Sequence, residues 1–303
     1  MKLEGPLIET HGLSDTGNVR QDNQDALRFC RPEDAQAVLL GPLYGIADGM
    51  GGFAHGGVAS TLALEILFNT FYANPGAPPL QRLRHGVQAA NLGVCQTANR
   101  MGVGRMGTTL TAVHLDGSTL SVAHVGDSRA YLIRDQTATC LTNDHTRVGE
   151  LVRMRLLSPD KVRTHQQRSV LNRCLGLELF VQPDLFSVQV RQDDLIVLCT
   201  DGVWGVVEDL EFTELAQAEP TLEGFNQAVL DRALRNGSDD NLSLLSLRLR
   251  SLAANRDSGR PASGLGAFLR RIFLPLQRTR PISGQIPLIL QPWNPCARSF
   301  RKA

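Results

Sequence analysis

Four short acidic motifs lie far apart in the chain, and their carboxylates are the oxygen ligands that hard metal ions prefer. These carboxylates belong to Asp25, Asp48, Asp201 and Asp240. The last three follow or closely adjoin apolar stretches typical of strands, so a sheet could bring them to one edge. Because Mg²⁺ and Mn²⁺ keep several waters, a few carboxylates and one main-chain carbonyl are enough to bind them. The sequence therefore predicts a metal-dependent hydrolase.

Asp48 is the candidate for a carboxylate that bridges two ions. A bridging carboxylate between ions about 3.5–4 Å apart lowers the pKa of the water that they share, which produces hydroxide near neutral pH. The glycine that follows lets the main chain approach closely, so the Gly49 carbonyl could itself be a ligand. An isolated Asp-Gly pair is usually only a turn, as we expect for Asp116-Gly117. The prediction therefore depends on the whole set of motifs.

Strand-like and helix-like stretches alternate along the chain. Asp116-Gly117 lies between two alternating stretches and predicts a β-hairpin, and Ser158-Pro159-Asp160 is typical of a helix start. The predicted strands are 43–47, 108–115, 120–125, 130–133, 181–190, 195–199 and 242–249, and the predicted helices are 58–72, 80–99, 148–157 and 222–235. Successive hairpins with paired helices favour antiparallel sheets covered by helices over a doubly wound parallel sheet.

The composition is that of a folded enzyme. Apolar residues make up 42% and charged residues 20% of the 303 positions, which excludes fibrous, membrane-embedded and disordered chains. The first residues lack the regions of a signal peptide, and no apolar run approaches the roughly 18 residues of a membrane-spanning helix. Six cysteines are scattered without a Cys-x-x-Cys pair, as is typical of reduced, structural cysteines. We therefore expect a cytoplasmic protein.

The charge is distributed unevenly between a body over 1–250 and a tail over 251–303. The tail carries nine basic residues and one acid, a net charge of +8, so the rest of the chain carries −7. Its proline, glycine, serine and arginine content predicts a flexible segment. One apolar stretch with two arginines, 264–276, could instead contact an anionic membrane surface or a partner protein. Nucleic-acid binding is not expected, because interleaved aromatic residues and a recognition fold are missing.

Seven short motifs follow one another between His11 and Leu249, and together they indicate a family. They are GNVRQDNQDA (17–26), ADGMGG (47–52), MGTTL (106–110), VGDSRA (125–130), DHT (144–146), TDGVW (200–204) and DDNLS (239–243). Each motif alone is a weak signal. In this order and spacing they resemble the metal-dependent protein phosphatases of the type 2C family, in its bacterial branch.

The resemblance implies a fold, an activity and a ligand set. The fold would be α+β, a four-layer αββα sandwich of two antiparallel sheets flanked by helices, and 1–250 would be its catalytic domain. The activity would be hydrolysis of phosphoserine and phosphothreonine in proteins, by direct attack of a hydroxide bridged between two Mn²⁺ or Mg²⁺ ions. Carried over by position, the first ion would be held by Asp48, Asp201 and Asp240, and the second by Asp25, Asp48 and the Gly49 carbonyl. Arg20 would bind the phosphate oxygens, a task suited to a planar bidentate cation.

The chain departs from the family pattern at positions that concern a third metal and the proton donor. Phe53 stands where bacterial members usually have a histidine, with His55 two residues later, and Met50 stands where eukaryotic members have one. Water could then protonate the leaving group. Gly205 replaces an aspartate that helps to bind a third metal, so Asp127 would support only a weaker third site.

Residues 144–176 resemble the flap segment beside the active site, and we call this segment the flap. Its cations could meet acidic phosphopeptides, whereas His145 and His165 are as well explained by structural roles. We expect a monomer that acts on phosphorylated proteins and opposes a cognate bacterial Ser/Thr kinase. Two alternatives stay open: a catalytically weak phosphatase-fold regulatory or binding module, and a relative that acts on a regulator of sigma factors.

Overall fold

Two five-stranded sheets form the centre of the protein. The computed structural model describes residues 7–31, 34–50, 55–103 and 105–252. In spatial order, the first sheet contains β1 (Ile8–Asp15), β10 (Leu242–Leu249), β9 (Leu195–Cys199), β6 (Arg129–Arg134) and β7 (Thr137–Cys140). The second sheet contains β2 (Asp25–Phe29), β3 (Leu43–Asp48), β4 (Leu110–Asp116), β5 (Thr119–Val125) and β8 (Asp184–Gln189). Neighbouring strands are antiparallel throughout both sheets, as the hairpin pattern predicts.

Helices cover the outer face of each sheet. The helices are α1 (Ala35–Leu40), α2 (Gly56–Ala73), α3 (Pro79–Met101), α4 (Arg147–Arg153), α5 (Asp201–Trp204), α6 (Asp209–Ala218) and α7 (Leu222–Arg235). Apolar residues of α2 and α3 share one buried cluster with the second sheet. Residues of α5, α6 and α7 share another with the first sheet. This order of layers confirms the predicted α+β sandwich.

The alternation of side chains along each strand explains why the two sheets pack against each other. In β3, Tyr44 and Ile46 belong to the buried cluster between the sheets. Leu43 and Ala47 point to the opposite face and pack in the cluster that contains α2 and α3. Both faces of this strand are apolar, because one meets a sheet and the other meets helices.

The predicted boundaries are wrong in the flap. The helix predicted over 148–157 ends at Arg153, and Arg155 adopts a left-handed backbone with φ of 59°. Ser158-Pro159-Asp160 starts only a 3₁₀ turn, Pro159–Lys161. The hairpin at Asp116-Gly117 is confirmed, since Gly117 has φ of 58° where β4 turns into β5.

Two further sequence predictions concern membranes and cysteines. Within the described ranges, no helix is long and apolar enough to cross a membrane. Cys30, Cys95, Cys140, Cys174 and Cys199 are free thiols, and Cys296 lies outside the described residues. The proposed tail also lies outside them, apart from residues 251 and 252, so its boundary stays a prediction.

Candidate active site

The strand ends and the helix that follows β9 bring the predicted acidic residues to one end of the sandwich. Asp25 is the first residue of β2 and Asp48 the last residue of β3, and they are direct partners in the antiparallel register. Asp201 begins α5 immediately after β9, and Asp240 lies two residues before β10. Asp127 lies in the turn between β5 and β6. Residues that are far apart in the sequence therefore become neighbours in the structure.

The carboxylates are close enough to repel one another. Burial, followed by repulsion from Asp25 and Asp201, raises the pKa of Asp48 well above its ordinary value. Burial and the charges of Asp201 and Asp240 raise the pKa of Asp25 to about 7, although hydrogen bonds from Ser243 and Thr200 act in the opposite direction. The Thr200 hydroxyl donates to Asp25 Oδ2 over 2.9 Å. Crowded carboxylates of this kind favour a positive charge in their midst.

Asp201 and Asp127 belong to the same electrostatic group. Burial raises the pKa of Asp201, and the charge of Asp240 raises it further. Burial and the charge of Asp201 raise the pKa of Asp127 well above its ordinary value. Asp127 thus lies within electrostatic reach of the candidate ligand at the start of α5, as a third-metal residue would.

The candidate ligands are all oxygen atoms, which suits a divalent cation. Their carboxylate oxygens do not, however, converge on one point. Among the described residues, no three His, Cys, Asp or Glu side chains stand in an arrangement that could already hold a metal ion. Asp240 shows why: its Oδ2 accepts from Arg20 over 2.7 Å and its Oδ1 accepts from the Asn241 amide over 2.8 Å. All-oxygen carboxylate sets suit Mg²⁺ and Mn²⁺. The structure brings the candidate ligands together, and their convergence on an ion stays a prediction.

Gly49 allows the main chain to pass very close to its neighbours. A Cβ atom at this position would collide with the Gly56 carbonyl and lie 2.6 Å from the Gln24 carbonyl oxygen. The Gly49 amide donates to that Gln24 oxygen over 3.0 Å, and the Thr109 amide donates to the Asp48 carbonyl over 2.9 Å. Only glycine fits this crossing of β2, β3 and the start of α2, which explains why it follows Asp48.

Arg20 lies at the rim of the site and contacts the acidic residues rather than solvent alone. Its Nη2 atom bonds to Asp240, and its Nε atom donates to the Asp239 carbonyl over 3.3 Å. Arg20 and Asp240 line a cavity of about 140 Å³ together with Asp201. The remaining lining residues are Arg168, Ser169, Gly202, Trp204, Gly205, Val206, Ser238 and Asp239. A cation and carboxylates therefore face one small open space.

Two residues were not assigned roles from the sequence: Trp204, which lines the cavity, and Arg129, which packs on the Trp204 ring. Trp204 donates from Nε1 to the Asp127 carbonyl over 2.8 Å. The Arg129 guanidinium lies 3.5 Å from the centre of the Trp204 ring and bonds to both Asp144 oxygens over 2.9 and 2.7 Å. Trp204 and Arg129 fall inside motifs that the sequence contains, but the motifs do not say that they touch.

The predicted departures from the family pattern lie at the following places. Phe53 is outside the described residues, and His55 is an exposed residue with φ of 66° just before α2. Gly205 follows the last residue of α5 and supplies no carboxylate where a third metal would need one. Met50 is held by a hydrogen bond from its amide to the Gly107 carbonyl over 3.1 Å.

The two flap histidines have structural partners. His145 is buried, its Nδ1 accepts from the Gly126 amide over 3.2 Å, and its Nε2 lies 3.2 Å from Asp184 Oδ2. His165 Nδ1 accepts from the Gln167 amide over 3.1 Å. Neither is among the residues that line the 140 Å³ cavity, so the structural reading of both histidines is the better supported.

Comparisons with known proteins identify the family. A family model described as protein phosphatase 2C matches residues 18–244. The serine/threonine phosphatase stp of Listeria monocytogenes is 30% identical over 250 residues, covering 81% of this chain and 97% of the relative. The serine/threonine protein phosphatase PstP of Mycobacterium tuberculosis is 37% identical over 234 residues, covering 77% of this chain and 43% of the relative.

Solved structures share the fold. The serine/threonine phosphatase Stp1 from Staphylococcus aureus has a TM-score of 0.75 and 30% identity, with 83% of this chain and 98% of that chain covered. The catalytic domain of PstP in complex with two manganese ions has a TM-score of 0.68 and 32% identity, with 80% and 97% covered. The predicted fold and enzyme class are therefore confirmed, and the chain belongs to the protein phosphatase 2C family of serine/threonine phosphatases.

Proposed function

We propose that this chain removes phosphate from phosphoserine and phosphothreonine in proteins with the help of two Mn²⁺ or Mg²⁺ ions. The observation that carries the proposal is the meeting of Asp25, Asp48 and Asp201 beside a cavity that Arg20 also lines. When bound, the ions would activate water and offset the charge of the phosphate. Asp48, Asp201 and Asp240 would hold the first.

The remaining ligands follow from the same arrangement. Asp25, Asp48 and the Gly49 carbonyl would hold the second ion, because β2 and β3 place the two carboxylates side by side. Asp127 would contribute to a weaker third site, since Gly205 offers no side chain there. Asp127 is buried, and Asp25 and Asp48 are half-buried. Limited access of water strengthens the attraction of these carboxylates for a cation.

Arg20 would bind the phosphate group of the substrate. Its guanidinium is 44% exposed and is held by one carboxylate and one carbonyl, so it can turn toward the cavity without breaking a buried network. A planar guanidinium can bond two phosphate oxygens at once, which positions the ester for attack. Arg168 also lines the cavity and adds a second positive charge.

The setting of this reaction is part of the proposal. Substrates would be phosphorylated proteins, because the relatives are serine/threonine phosphatases and one is named a protein phosphatase. The enzyme would act as a cytoplasmic monomer and oppose a cognate Ser/Thr kinase. The family and the sequence support these statements.

Phosphate release tests the proposal directly. The purified protein should release phosphate from a phosphothreonine peptide and from p-nitrophenyl phosphate with Mn²⁺ or Mg²⁺, and EDTA should stop the release. Asp48→Asn and Asp201→Asn should each lower kcat at least about 100-fold, because each removes an inner metal ligand. Asp116→Asn, the same change in the hairpin turn, is the control and should leave the rate unaltered.

Two outcomes would redirect the assignment. Wild-type rates in Asp48→Asn or Asp201→Asn would show that the metal centre lies elsewhere. Tight phosphopeptide binding without phosphate release in any divalent metal would favour the alternative, a regulatory or binding module with the phosphatase fold. The ion pair of Arg20 with Asp240 bears on that alternative. While it is formed, the proposed phosphate ligand and a proposed metal ligand bind each other.

A further inference from the structure

One flap arginine is anchored to the helix that carries a candidate metal ligand. The Arg163 Nε atom donates to the Trp204 carbonyl over 2.9 Å, and its Nη2 atom bonds to Asp209 Oδ1 over 2.6 Å. Nη2 also donates to the Val207 carbonyl over 3.3 Å, and Nη1 lies 3.7 Å from Glu208. The Arg163 side chain is only 17% exposed. A single guanidinium thus joins the flap to the end of α5 and the start of α6.

The anchoring point is tied to the candidate metal site. The helix α5 has only four residues, beginning with Asp201 and ending with Trp204. Trp204 is fixed by its hydrogen bond to the Asp127 carbonyl and by Arg129 on its ring. The Trp204 carbonyl that Arg163 binds therefore belongs to a residue that is also bonded to the main chain of Asp127.

The flap between Arg163 and Arg168 is short and internally bonded. The His165 amide donates to Val162, and the Arg168 amide donates to His165. Arg168 Nη1 also donates to the Arg163 carbonyl over 3.4 Å. Val162 is buried in the cluster that contains Trp204. Fixing Arg163 therefore fixes the course of the chain up to Arg168.

Arg168 and Ser169 are the flap residues that face the candidate site. They line the 140 Å³ cavity, as Arg20 does. Asp201, the first residue of α5, lines the same cavity. Arg168 is therefore near both the acidic residues and the space that a phosphate group would enter.

We propose that Arg163 is a positioning residue that holds the flap against α5 and α6, so that Arg168 stands over the cavity where the phosphorylated substrate binds. This inference rests on the proposed function, and it names a residue that acts through another and does not touch substrate. Arginine suits the task, because its planar fork can bond two carbonyls and a carboxylate together. Lysine carries its donors on a single nitrogen, so it could not reproduce the contacts that Arg163 makes from the separate Nε and Nη2 atoms.

The kinetic test compares Arg163→Ala and Arg163→Lys with the wild type on a phosphothreonine peptide. Arg163→Ala should raise KM about tenfold and change kcat less than about threefold, because substrate binding loses a positioned cation while the metal ligands stay in place. Arg163→Lys should recover part of the loss. Arg153→Ala is the control, since Arg153 is an exposed flap arginine that pairs with Glu150 in its own helix; its KM should equal that of the wild type.

A double-mutant cycle separates positioning from a general loss of stability. If Arg163 acts through Arg168, the effect of Arg163→Ala on KM should vanish in an Arg168→Ala background, because residues of one unit are not additive. Additive effects, or an unchanged KM in Arg163→Ala, would overturn the proposal. An equal rise in KM for Arg153→Ala would do the same, because it would point to flap charge in general.

Hydrogen exchange gives a readout that does not depend on activity. Amides at 165–170 should exchange at least about tenfold faster in Arg163→Ala than in the wild type, with amides of α7 unchanged. Equal exchange in the flap would overturn the anchoring step even in an active enzyme. Faster flap exchange in Arg163→Ala, together with a wild type that releases no phosphate, would support the anchoring role of Arg163 and reject the proposed function. Failure of the Arg163 proposal and failure of the proposed function are therefore distinguishable.

Discussion

The pairing of Arg20 with Asp240 joins two residues for which we propose different partners. Arg20 is the proposed phosphate ligand and Asp240 a proposed metal ligand, yet their side chains meet over 2.7 Å. Both are partly exposed, so the contact itself contributes little to stability. Its importance is that a change at Arg20 can act on substrate binding or on the affinity of Asp240 for metal, and the two effects can be measured separately.

We expect Arg20→Ala to lower kcat/KM for a phosphothreonine peptide about 10- to 100-fold, because a bidentate contact with the phosphate is lost. The Mn²⁺ concentration that gives half-maximal activity should not increase, since Asp240 loses a competing partner. Arg84→Ala, which alters an exposed arginine of α3, is the control. A large increase in the Mn²⁺ requirement of Arg20→Ala would mean that Arg20 supports the metal ligands instead.

The raised pKa of Asp25 predicts how the stability of the fold depends on pH and on bound metal. Its pKa is raised to about 7, so between roughly pH 4 and pH 7 the folded state holds a proton that the unfolded state has lost. Stability without metal should therefore fall as the pH rises through this range. Above it, the buried charge of Asp25 opposes folding, and a bound divalent cation should reverse that effect.

The measurement is thermal unfolding of the wild type and Asp25→Asn, each in EDTA and in Mn²⁺. In EDTA, the wild type should lose more stability than Asp25→Asn between pH 5 and pH 8, by up to about 3 kcal/mol. In Mn²⁺ at pH 8, the wild type should become the more stable of the two. Parallel pH profiles in EDTA would show that the Asp25 carboxyl is not electrostatically strained.

At the scale of elements, one buried amide fixes α7 on the first sheet. Asn226 Nδ2 donates to the His11 carbonyl in β1 over 3.0 Å, and Asn226 Oδ1 accepts from Ser246 in β10 over 2.6 Å. Asn226 is fully buried, so its polar atoms depend on these partners. The pair β1 and β10 leads directly to the chain around Asp15 and Asp240, which connects this contact to the site.

We expect Asn226→Leu to lower the free energy of unfolding by about 1–3 kcal/mol, because it leaves the buried Ser246 hydroxyl and the His11 carbonyl without their partner. Gln227→Leu changes the adjacent, exposed residue and should have an effect within about 0.5 kcal/mol. Urea unfolding at one pH measures both. Equal losses in the two variants would mean that the buried amide contributes no specific stability.

At the scale of the whole molecule, the sequence predicts the bounds of an element correctly where its apolar pattern is regular and local. The strands β9 and β10 and the helix α7 begin and end where predicted, because both faces of each strand meet a buried layer and the helix has a clear apolar side. The helix α1 and the edge strand β1 were not predicted. Both are short or half exposed, so their apolar patterns are weak.

In the site too, some residues could be predicted from motifs, whereas other contacts depend on tertiary packing. The acidic residues could be predicted, because each stands in a short motif with a fixed order. The contact of Arg163 with Trp204, and that of Arg129 with Asp144, could not. Such pairs join elements that are distant along the chain, and their geometry depends on tertiary packing that no local pattern encodes.

The end of the folded domain is the last property of the whole molecule that can be tested. The predicted boundary lies near Arg250, but the chain keeps native contacts beyond it. The Ser251 amide donates to the Leu7 carbonyl over 3.2 Å, and Ser251 Oγ accepts from the Leu7 amide over 3.1 Å. Leu252 packs against the cluster between the sheets. These contacts tie the end of β10 to the start of β1.

Two truncated chains test where the folded domain ends. A chain of residues 1–252 should unfold at the same urea concentration as the full chain and keep its rate on p-nitrophenyl phosphate, because the predicted tail contributes no ligand. A chain of residues 1–249 should be less stable by about 1–3 kcal/mol, since it loses the Ser251 and Leu252 contacts and the ion pair of Arg250 with Glu9. Equal stability of the two truncations would place the boundary before Arg250. Loss of folding in both would show that the tail belongs to the domain, and the basic segment would then need a structural role instead of the surface or partner contact predicted for it.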